Sequence, residues 1–544
     1  EVTVRRAKNL VPKAMVAALL GNTPSVLRSI PEIKDVDVVS SLLEIHGVSV
    51  EWDKESGRIT MDPAGVKSAL TAEIDAHAGD SRIPILFCGP LMHAIGEAFI
   101  PDLGGCKIGD RPIDYHLAVL RNFGAVVDKR PGGISISAPK GLHGAKLELP
   151  YPSVGATEQV LLTAVKAEGI TELKGAAVEP EIHDLIAVLQ MMGAIITVQT
   201  DRTIRIEGVT EMRGYNHEAL PDRNESASWA SAALATGGDI FVRNASQRDL
   251  TAFLNTYRKI GGEFDVVDDG IRFWHAGGDL NPLVLETDVH PGFMTDWQQP
   301  LVVALTQAKG VSIVHETVYE NRFGFTDALV RMGASIQLHR ECLGSVPCRF
   351  GQRNFLHSAV ISGPTPLHGV EFDIPDLRGG FSHLIAALSA EGVSHVTGVE
   401  LIERGYEHFT TKLEALGAKV EILGEAEMEK LGMGSLPRWL LSGVLIALMM
   451  LVMVSSQRIM LIVTQWLVYP LIAILLFVTL YLIPSWKLDG LTAAPSAGDL
   501  LMSIWLVIPV LVFAFNHSPA ISQFSLAMQR QYGPRASERA EWLG

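Results

Sequence analysis

Residues 1–424 repeat one pattern of hydrophobic and polar positions. An apolar run with helical spacing ends at a glycine, and a stretch of alternating apolar and polar residues follows it. Glycine suits this joint because helices commonly end on a left-handed residue, a conformation that glycine adopts without steric cost. The joints recur about every 70 residues, and such self-similarity indicates a repeat architecture. The pattern predicts six helix–glycine–strand units, at Gly47, Gly124, Gly193, Gly261, Gly333 and Gly417.

A second helix is predicted in each unit, with an interior rich in alanine and leucine and nearly devoid of charge. Helices of this kind are buried. Several begin beside a cation, as at Lys8, Arg82, Arg223 and Arg378, and helix N-termini attract anions. We therefore predict two three-unit α/β domains around a polar cleft with an anion site. The alternative, in which each cation serves only its own helix, stays open. The predicted helices span 8–20, 82–98, 153–169, 223–238, 296–310 and 378–392.

The charge of the chain is uneven. Lys and Arg number 45, Asp and Glu number 60, and the net charge is −15. Residues 425–544 are neutral overall, so the excess of acid belongs to residues 1–424. An acidic surface argues against nonspecific binding of nucleic acid, which needs cations to displace counterions from phosphates. A small anionic substrate held by local cations remains compatible with this charge.

A glycine-rich segment at 104–116, GGCKIGDRPIDYH, predicts a surface loop. Cys106 in this loop lies beside Lys107 and close to Arg111. Nearby cations favour the thiolate, so Cys106 suits the role of proton donor or nucleophile. The residues alone leave an inert cysteine as the alternative.

The other cysteines suggest no chemistry. Four cysteines in 544 residues do not make a disulfide scaffold, and they favour a reducing compartment. Cys88 lies in an apolar run and is predicted to be core. Cys342 and Cys348 lack histidines at metal-ligand spacing, so we expect them to be structural or incidental. Residues 338–353 are predicted to form a variable loop without a role.

Further motifs run in order through residues 1–424. They are AKN at 7–9, Arg82 with GPL at 89–91, PSVGAT at 152–157, EPEIHD at 179–184, LPDRNES at 220–226, HPGFMTD at 290–296, ETVYENRF at 316–323, DLRGG at 376–380 and ERGYEH at 403–408. Together with GGCKIGDRPID they resemble the UDP-N-acetylglucosamine 1-carboxyvinyltransferase family of enolpyruvyl transferases. Long co-linear likeness of this kind is specific.

The resemblance implies a fold and a reaction. The fold is an inside-out α/β barrel of two domains with three repeats each, with domain 1 at 9–220 and domain 2 at 1–8 and 221–424. Only seven residues precede Lys8, where the family has an opening strand segment, so we expect a sheet of domain 2 to lack an edge. The implied enzyme transfers the enolpyruvyl group of phosphoenolpyruvate to the 3′-hydroxyl of UDP-N-acetylglucosamine and releases phosphate. This is the first committed step of bacterial peptidoglycan synthesis.

The resemblance also implies catalytic roles. Cys106 would protonate the enol carbon and can hold a covalent adduct. Asp296 would deprotonate or position the attacking hydroxyl. Cations would clamp the phosphate and carboxylate of phosphoenolpyruvate: Lys8, Arg111 and Arg404, with Arg378 close by.

Other matching positions are implied to bind the nucleotide sugar, with core packing as the alternative for Val154 and Val318. Tyr151 departs from the best-known family pattern, which has a lysine there, so one diphosphate contact is lost or is replaced by the phenol. No cofactor, metal or nucleic acid is expected. The implied binding positions are Asn9, Arg82, Pro112, Ile113, Asp114, Tyr115, Ser153, Val154, Gly155 and Val318.

Two rival functions are weighed against this one. The fold relative 5-enolpyruvylshikimate-3-phosphate synthase has no such cysteine loop, so GGCKIGDRPID argues against it. The second rival is a membrane transport protein with an inactive soluble domain. The presence of Lys8, Cys106, Asp296 and Arg404 argues against inactivity.

Residues 425–544 differ in character. After an acidic linker at 425–438, the stretches 439–457 and 459–486 contain no charged residue, and 500–515 is again apolar. Since about 20 apolar residues span a bilayer, residues 439–533 predict about three transmembrane helices, in contact with lipid. A polar tail follows at 534–544. The motif FAFNHSPAIS at 513–522 resembles an internal part of serine/threonine and aromatic amino acid permeases.

The two parts predict conflicting locations. Arg530, Arg535 and Arg539 favour a cytoplasmic C-terminus, and three spans then place residue 424 outside. The enzyme part needs cytoplasmic substrates and is expected in the cytoplasm. We interpret the fusion as a spliced or misassembled reading frame, which one uninterrupted frame in long-read sequencing across the codons for 420–440 would contradict.

Overall fold

Small sheets packed around buried helices make up residues 1–421. The computed structural model describes residues 1–69, 71–77, 79, 81–104, 113–130, 132–345, 348 and 354–423. The α-helices are α1 Val11–Ala17, α2 Lys34–Ile45, α3 Thr71–Asp75, α4 Cys88–Ile95, α5 Asp114–Asn122, α6 Val154–Ala164, α7 Pro180–Met191, α8 Arg223–Thr236, α9 Thr251–Ile260, α10 Thr295–Leu305, α11 Thr326–Arg331, α12 Leu377–Ser389 and α13 Phe409–Ala415. Short 3₁₀ helices span Ala18–Leu20, Pro63–Gly65, Ile83–Phe87, Arg248–Leu250 and Val399–Leu401.

The strands are short and follow the helices in alternation. They are β1 Val2–Thr3, β2 Ser25–Arg28, β3 Ser49–Asp53, β4 Arg58–Asp62, β5 Glu97–Pro101, β6 Val126–Arg130, β7 Gly133–Ser137, β8 Lys146–Glu148, β9 Ile170–Lys174, β10 Ile195–Val198, β11 Ile204–Glu207, β12 Asn216–Glu218, β13 Asp239–Arg243, β14 Gly262–Val267, β15 Gly270–His275, β16 Val284–Glu286, β17 Gly310–His315, β18 Ser335–His339, β19 Ser358–Gly363, β20 Glu371–Asp373 and β21 His395–Thr397.

The predicted helix–glycine joints are confirmed. Helices α2, α5, α7, α9, α11 and α13 end one or two residues before the six glycines, and φ at these glycines runs from +84° at Gly47 to +112° at Gly261. Strands β3, β6, β10, β14 and β18 follow the first five joints. No strand follows Gly417 within the described residues, because the sheet of that unit contains only β20 and β21 there and offers no antiparallel partner.

Each four-stranded sheet joins one parallel pair to an antiparallel hairpin. Their orders are β1-β13-β15-β14, β12-β2-β4-β3, β8-β9-β11-β10 and β16-β17-β19-β18, and β5-β7-β6 and β20-β21 are the smaller sheets. Parallel strands need a crossover connection. Helix α6 joins β8 to β9, α10 joins β16 to β17, and α12 joins β20 to β21.

The predicted buried helices lie inside two separate cores. The first core runs from Ala7 to Ala219 and contains α1, α4 and α6, and the second contains α8, α10 and α12 together with Val2 and Val4. The helix predicted over 82–98 has different bounds. It begins as the 3₁₀ helix Ile83–Phe87, continues as α4, and stops at Gly96, whose φ of +80° turns the chain into β5.

The chain crosses between the two cores twice, and these crossings position the site. Strand β1 pairs with β13 beside the second core, whereas β12 pairs with β2 beside the first. The crossing segments run side by side, with a bridge between Arg6 and Pro221. The backbone N–H of Asp222 also donates to the carbonyl of Arg5 at 2.9 Å. Lys8 and Asp222 are therefore held next to each other.

Several predictions concern residues outside the described part of the chain. They include Cys106, Arg111 and Pro112, and also the linker, the membrane spans at 439–533 and the tail at 534–544. Within the described residues, no helix has the length and apolar character needed to cross a bilayer.

Candidate functional site

Lys8 and Arg404 meet at one buried carboxylate, that of Asp35. Lys8 Nζ forms an ion pair with Asp35 Oδ2, and Arg404 Nη2 lies 3.5 Å from Oδ1. Lys8 comes from the first crossing segment, Asp35 from the first turn of α2, and Arg404 from the segment before α13. Distant parts of the chain thus gather two predicted phosphoenolpyruvate ligands around one resident anion.

Burial and charge act on Asp35 in opposite directions. Burial alone raises the pKa of a carboxyl group, but Lys8 and Arg404 outweigh it, so the pKa of Asp35 lies below its usual value. The carboxylate balances one of the two positive charges, and one remains for an incoming anion. Sequence reasoning missed Asp35 because it lies in none of the family motifs. Its acidic position in the first turn of a helix was the available signal.

Asp296 lies in the first turn of α10 and is held by two arginines. Arg322 Nη2 donates to Asp296 Oδ1 at 2.5 Å, and Arg378 Nε lies 3.5 Å from Oδ2. Asn224 Nδ2 also approaches Oδ2 at 3.5 Å. The arginine side chains are 1% and 6% exposed, whereas that of Asp296 is 18% exposed. Buried cations therefore hold the carboxylate at a partly open surface.

Residues 404–406 link the Asp35 cluster to the Asp296 cluster. Tyr406 Oη accepts a hydrogen bond from Arg378 Nη1 at 2.7 Å, and this bond fixes the position of the Arg378 guanidinium group. Burial alone lowers the pKa of Arg378, but Tyr406 and Asp296 outweigh it and raise that pKa. Gly405 lies against Lys8, and a Cβ at this position would come within 2.9 Å of Lys8 Cδ. A Cβ would also come within 2.6 Å of Leu377 Cδ2, so a larger residue at 405 would displace the ends of these two side chains.

Glu316 organises the start of α10 although sequence reasoning gave it no role. Its Oε1 accepts the backbone N–H groups of Val318 at 2.8 Å and Tyr319 at 3.0 Å. Its Oε2 accepts from Thr295 Oγ1 at 2.9 Å and Gln298 Nε2 at 3.2 Å. Burial raises the pKa of Glu316. Glu316 joins the segment that contains Val318 to the helix that presents Asp296, and its place in ETVYENRF was the signal.

Arg223 does not join the predicted anion site. Its Nε and Nη2 donate to the two carboxylate oxygens of Glu181 at 2.9 Å each, and both side chains are buried. A bidentate pair of this kind neutralises the cation. The alternative that this cation serves only its own helix does not hold either, because Arg223 begins α8 whereas Glu181 lies in α7.

Predicted nucleotide-sugar residues lie at helix starts in the first core. Ser153 caps α6, where its Oγ accepts the N–H of Ala156 at 3.3 Å, and Val154 is the first residue of the helix. A Cβ at Gly155 would lie 2.9 Å from His116 Nε2, so glycine lets the starts of α5 and α6 approach. Ile113 precedes α5, and Asp114 and Tyr115 begin it.

The remaining predicted residues are placed individually. Asn9 contributes its carbonyl, which accepts from Lys13 Nζ at 2.5 Å. Arg82 precedes the 3₁₀ helix Ile83–Phe87 and is half-buried, as are Val318 and Tyr151. The structure brings Lys8 to Arg404 at Asp35, and Asp296 to Arg378.

Glu158 is a second buried carboxyl group that sequence reasoning missed. It lies in α6, and its Oε1 is 3.7 Å from Lys13 Nζ. Burial raises the pKa of Glu158 to about 7, and Lys13 offsets only part of this effect. Glu158 therefore changes its charge near neutral pH, one helical turn from the start of α6.

The expectation that Cys342 and Cys348 lack histidine partners is wrong. Cys342 Sγ lies 3.2 Å from His357 Nε2 and 3.3 Å from Cys348 Sγ. His315 also belongs to this cluster. The spacing of residues along the chain could not predict this cluster. His315 ends β17 and His357 directly precedes β19, and these two strands come together only in the folded sheet.

Comparison with known proteins identifies relatives. Residues 1–413 match the family model of EPSP synthase (3-phosphoshikimate 1-carboxyvinyltransferase). The chain is 47% identical over 435 residues to the UDP-N-acetylglucosamine 1-carboxyvinyltransferase of Protochlamydia amoebophila, covering 79% of this chain and 93% of the relative. It is 44% identical over 433 residues to the enzyme of that name from Chlamydia pneumoniae, covering 79% and 94%.

Solved structures share the fold at low sequence identity. The enolpyruvyl transferase NikO from Streptomyces tendae matches with a TM-score of 0.67 and 20% identity, covering 77% of this chain and 95% of that one. EPSP synthase from Acinetobacter baumannii matches with a TM-score of 0.59 and 18% identity, covering 78% and 96%. The architecture of residues 1–421 is thus that of enolpyruvyl transferases.

Proposed function

The chain belongs to the EPSP synthase (3-phosphoshikimate 1-carboxyvinyltransferase) family, and we propose that it transfers the enolpyruvyl group of phosphoenolpyruvate to the 3′-hydroxyl of UDP-N-acetylglucosamine. Relatives with that named activity are 44% and 47% identical over nearly their whole lengths. One structural observation carries the proposal. The cation pair Lys8 and Arg404 is linked through residues 404–406 to Arg378, whose Nε lies 3.5 Å from the carboxylate of Asp296.

The cations supply the binding site for phosphoenolpyruvate. Its phosphate and carboxylate replace part of the charge that Asp35 now balances at Lys8 and Arg404. Guanidinium groups bind such oxygens in a bidentate manner, which orients the enol carbon. Arg111 of the cysteine loop completes the clamp, and Arg378 adds positive charge from α12.

Asp296 acts on the sugar hydroxyl. The ion pair with Arg322 fixes one carboxylate oxygen, and the partly exposed face of Asp296 receives the 3′-hydroxyl. The carboxylate orients this hydroxyl and takes its proton as the oxygen attacks the enol-derived carbon. Glu316 and Thr295 hold the helix start that sets this geometry.

Cys106 donates the proton that makes the reaction possible. Protonation of the methylene carbon of phosphoenolpyruvate makes the adjacent carbon electrophilic, and the sugar oxygen bonds to it. The tetrahedral intermediate then loses phosphate by cleavage of its C–O bond and loses a methyl proton, which restores the vinyl group. The cations stabilise the charge of this intermediate.

The first core binds the nucleotide sugar. The starts of α1, of the 3₁₀ helix Ile83–Phe87 and of α6 contain no acidic residue in the first turn. Backbone N–H groups at such ends attract a diphosphate. Besides Ser153, we assign nucleotide-sugar binding to Asn9, Arg82, Pro112, Ile113, Asp114, Tyr115, Val154 and Gly155, and Tyr151 offers a phenol in place of a lysine. Val318, which Glu316 ties to the start of α10, would bind the nucleotide sugar from the side of the second core.

The proposal includes an organisation into two domains, 9–220 and 1–8 with 221–424, each built on one of the two cores. It also includes a cytoplasmic location for this part of the chain, where both substrates occur.

Phosphate release tests the proposal. The full chain is incubated with phosphoenolpyruvate and either UDP-N-acetylglucosamine or shikimate 3-phosphate, and phosphate is measured over time. We expect release with the nucleotide sugar only, and Cys106→Ala should abolish it while nucleotide-sugar binding persists. Release with shikimate 3-phosphate alone, or with neither acceptor from a folded chain, would contradict the proposal.

A further inference from the structure

Four side chains with metal-ligand chemistry converge away from the catalytic clusters. Cys342 Sγ lies 3.3 Å from Cys348 Sγ and 3.2 Å from His357 Nε2. The ligand atoms of His315, Cys342 and Cys348 all lie within 4.8 Å of one another, and the rings of His315 and His357 have centroids 5.4 Å apart. We propose that these four side chains bind one zinc ion through two thiolates and two imidazoles.

Two of the separations between ligand atoms fit a tetrahedral ion. With Zn–S bonds of about 2.3 Å and Zn–N bonds of about 2.0 Å, tetrahedral ligands lie roughly 3.5 to 3.8 Å apart. The separations of 3.3 Å and 3.2 Å are close to these edges. His315, Cys342 and Cys348 already form a compact group, and the His357 ring must turn towards it to complete the four ligands. A disulfide needs sulfur atoms about 2.05 Å apart. Cys342 and Cys348 are instead separate thiols.

Hydrogen bonds orient both imidazoles for coordination. His357 Nδ1 lies 2.9 Å from the carbonyl of Phe355, which can only accept, so Nδ1 is the protonated nitrogen. Ser358 Oγ donates to the carbonyl of Glu341 and accepts from His315 Nδ1 at 2.9 Å. Both rings therefore present Nε2 as the ligand atom. Outer hydrogen bonds of this kind fix the tautomer of metal-binding histidines.

The placement of the ligands favours a structural site. Both histidines are fully buried at strand ends, whereas Cys342 is exposed and Cys348 half-buried, which gives the ion a path of entry. Two thiolates and two imidazoles select zinc over magnesium or calcium, which prefer oxygen. Four protein ligands fill a tetrahedral ion and leave no position for substrate.

The site fastens the loop to the segment that leads to the catalytic cluster. A Cβ at Gly344 would come within 2.6 Å of the His315 ring, and Ser345 N and Oγ donate to Glu286 Oε1 at 2.7 Å and 2.8 Å. His315 directly precedes Glu316, whose carboxylate holds Val318 and the start of α10. The bound ion would thus stiffen this strand end from outside the catalytic site.

Metal content of the full chain tests the proposal. The chain is purified under reducing conditions, equilibrated with zinc and passed through a weak chelator, and its zinc is measured by mass spectrometry. We expect one zinc per chain, with two thiol protons released on binding. Cobalt(II) in place of zinc should give the visible absorption of a tetrahedral thiolate site. A reduced, folded chain that retains no zinc would overturn the proposal.

Variants assign the ligands. Cys342→Ser, Cys348→Ser and His357→Ala should lose the zinc, whereas the matched controls Cys88→Ala and His143→Ala should keep it. Circular dichroism checks folding, and Cys348→Ser, in the half-exposed loop, is the variant least able to disturb the core. Zinc retained by folded Cys348→Ser would overturn the proposal.

A variant that alters the hydrogen-bond partner of a ligand, and not the ligand itself, should reduce the zinc affinity only in part. Ser358→Ala removes the hydrogen-bond partner of His315 and should weaken zinc binding by about 10- to 100-fold without abolishing it. An unchanged affinity would contradict this arrangement of ligands. Mass spectrometry distinguishes a chain with bound zinc from a chain with a Cys342–Cys348 disulfide. A chain that takes up no zinc after its disulfide has been reduced would overturn the proposal.

Discussion

The central helices of the two cores begin differently. In the second core, Asp222 caps α8 and Asp376 caps α12, each by accepting two backbone N–H groups, and Asp296 lies in the first turn of α10. In the first core, α6 is capped by the neutral Ser153. The described starts of α1 and of the 3₁₀ helix Ile83–Phe87 have no side-chain cap.

This difference at the helix starts suits the two cores, which are otherwise alike, to different roles. At the second set of helix starts, Asp222 and Asp376 accept the backbone N–H groups, and Asp296 attracts the cations Arg322 and Arg378. In the function that we propose, the first set keeps its positive ends for the diphosphate of the substrate. One repeat architecture would then supply a diphosphate site in one half and charged catalytic groups in the other.

The largest effect is expected from Asp296→Asn, which removes the charge at the start of α10. An amide cannot take the hydroxyl proton, and general acid–base groups contribute typically about 10²- to 10⁴-fold, so kcat should fall by that factor. The KM for nucleotide sugar should change less than kcat, because most of the residues that we propose to bind it lie at the first core. Steady-state phosphate release gives both constants.

A surface ion pair provides the control for Asp296→Asn. Asp239 pairs with Arg272 on the exposed side of β13, so Asp239→Asn should leave kcat unchanged. If Asp296→Asn retained the kcat of the unmodified chain, the charged helix start would have no part in the chemistry.

The next effect concerns stability and the cation Arg223. This arginine follows Asp222 at the start of α8, but its charge is balanced by Glu181 of α7. Glu181→Ala leaves a buried cation unpaired and should lower the free energy of unfolding by about 3–5 kcal/mol. Chemical denaturation of the variant and the unmodified chain measures this loss.

A double variant shows whether the charge itself is responsible. Glu181→Ala with Arg223→Met removes both charges and should recover most of the lost stability. The exposed pair serves again for comparison, since Asp239→Ala should cost less than about 1 kcal/mol. A loss in the double variant as large as in Glu181→Ala would show that packing, not charge, is at stake.

Features set by neighbouring residues could be predicted from the sequence, whereas contacts between residues far apart in the chain could not. The six glycine joints were predictable because a helix end needs a positive φ, which is a property of adjacent residues. Lys8, Asp296 and Arg404 were named from motifs. Asp35, Glu316 and the Cys342–His357 contact were not, because the partners are brought together only by sheet pairing and by the crossing segments.

Glu158 should make stability depend on pH in the opposite sense to Asp35. The pKa of Glu158 rises from 4.5 in the unfolded chain to about 7 in the folded one. Between these values the unfolded chain ionises and the folded chain does not, so this group destabilises the fold increasingly as pH rises. Glu158→Gln removes the effect, and its gain over the unmodified chain should reach about 3 kcal/mol above pH 7.

Asp35→Asn is the matched variant with the opposite sign. The folded-state pKa of Asp35 is lowered, so its contribution is present above the unfolded value of 3.8 and is lost as pH falls through the folded value. Asp35→Asn should therefore cost stability at neutral pH and little in strong acid. Unfolding curves across pH measure both variants, and parallel pH profiles would contradict the assignment of the two carboxyl groups.

The smallest expected effect is the loss of stability when a helix cap is removed. Asp222 accepts Asn224 N at 2.8 Å and Glu225 N at 3.0 Å, and it also accepts Lys8 N at 3.2 Å, whereas Ser153 accepts one N–H at 3.3 Å. Loss of a cap costs about 0.5–2 kcal/mol, so Asp222→Ala should lie near the upper end and Ser153→Ala near the lower. Thermal unfolding of the two variants in the same buffer gives the order.

The two cap variants should affect nucleotide-sugar binding in the reverse order. Ser153→Ala exposes a helix start that we assign to the diphosphate, so it should raise the KM for UDP-N-acetylglucosamine by more than Asp222→Ala does. Asp222 lies at the start of α8, whose N–H groups its own carboxylate occupies. If Asp222→Ala weakened nucleotide-sugar binding more than Ser153→Ala, the substrate diphosphate would lie at the acidic helix starts of the second core, and the division between the two halves would be wrong.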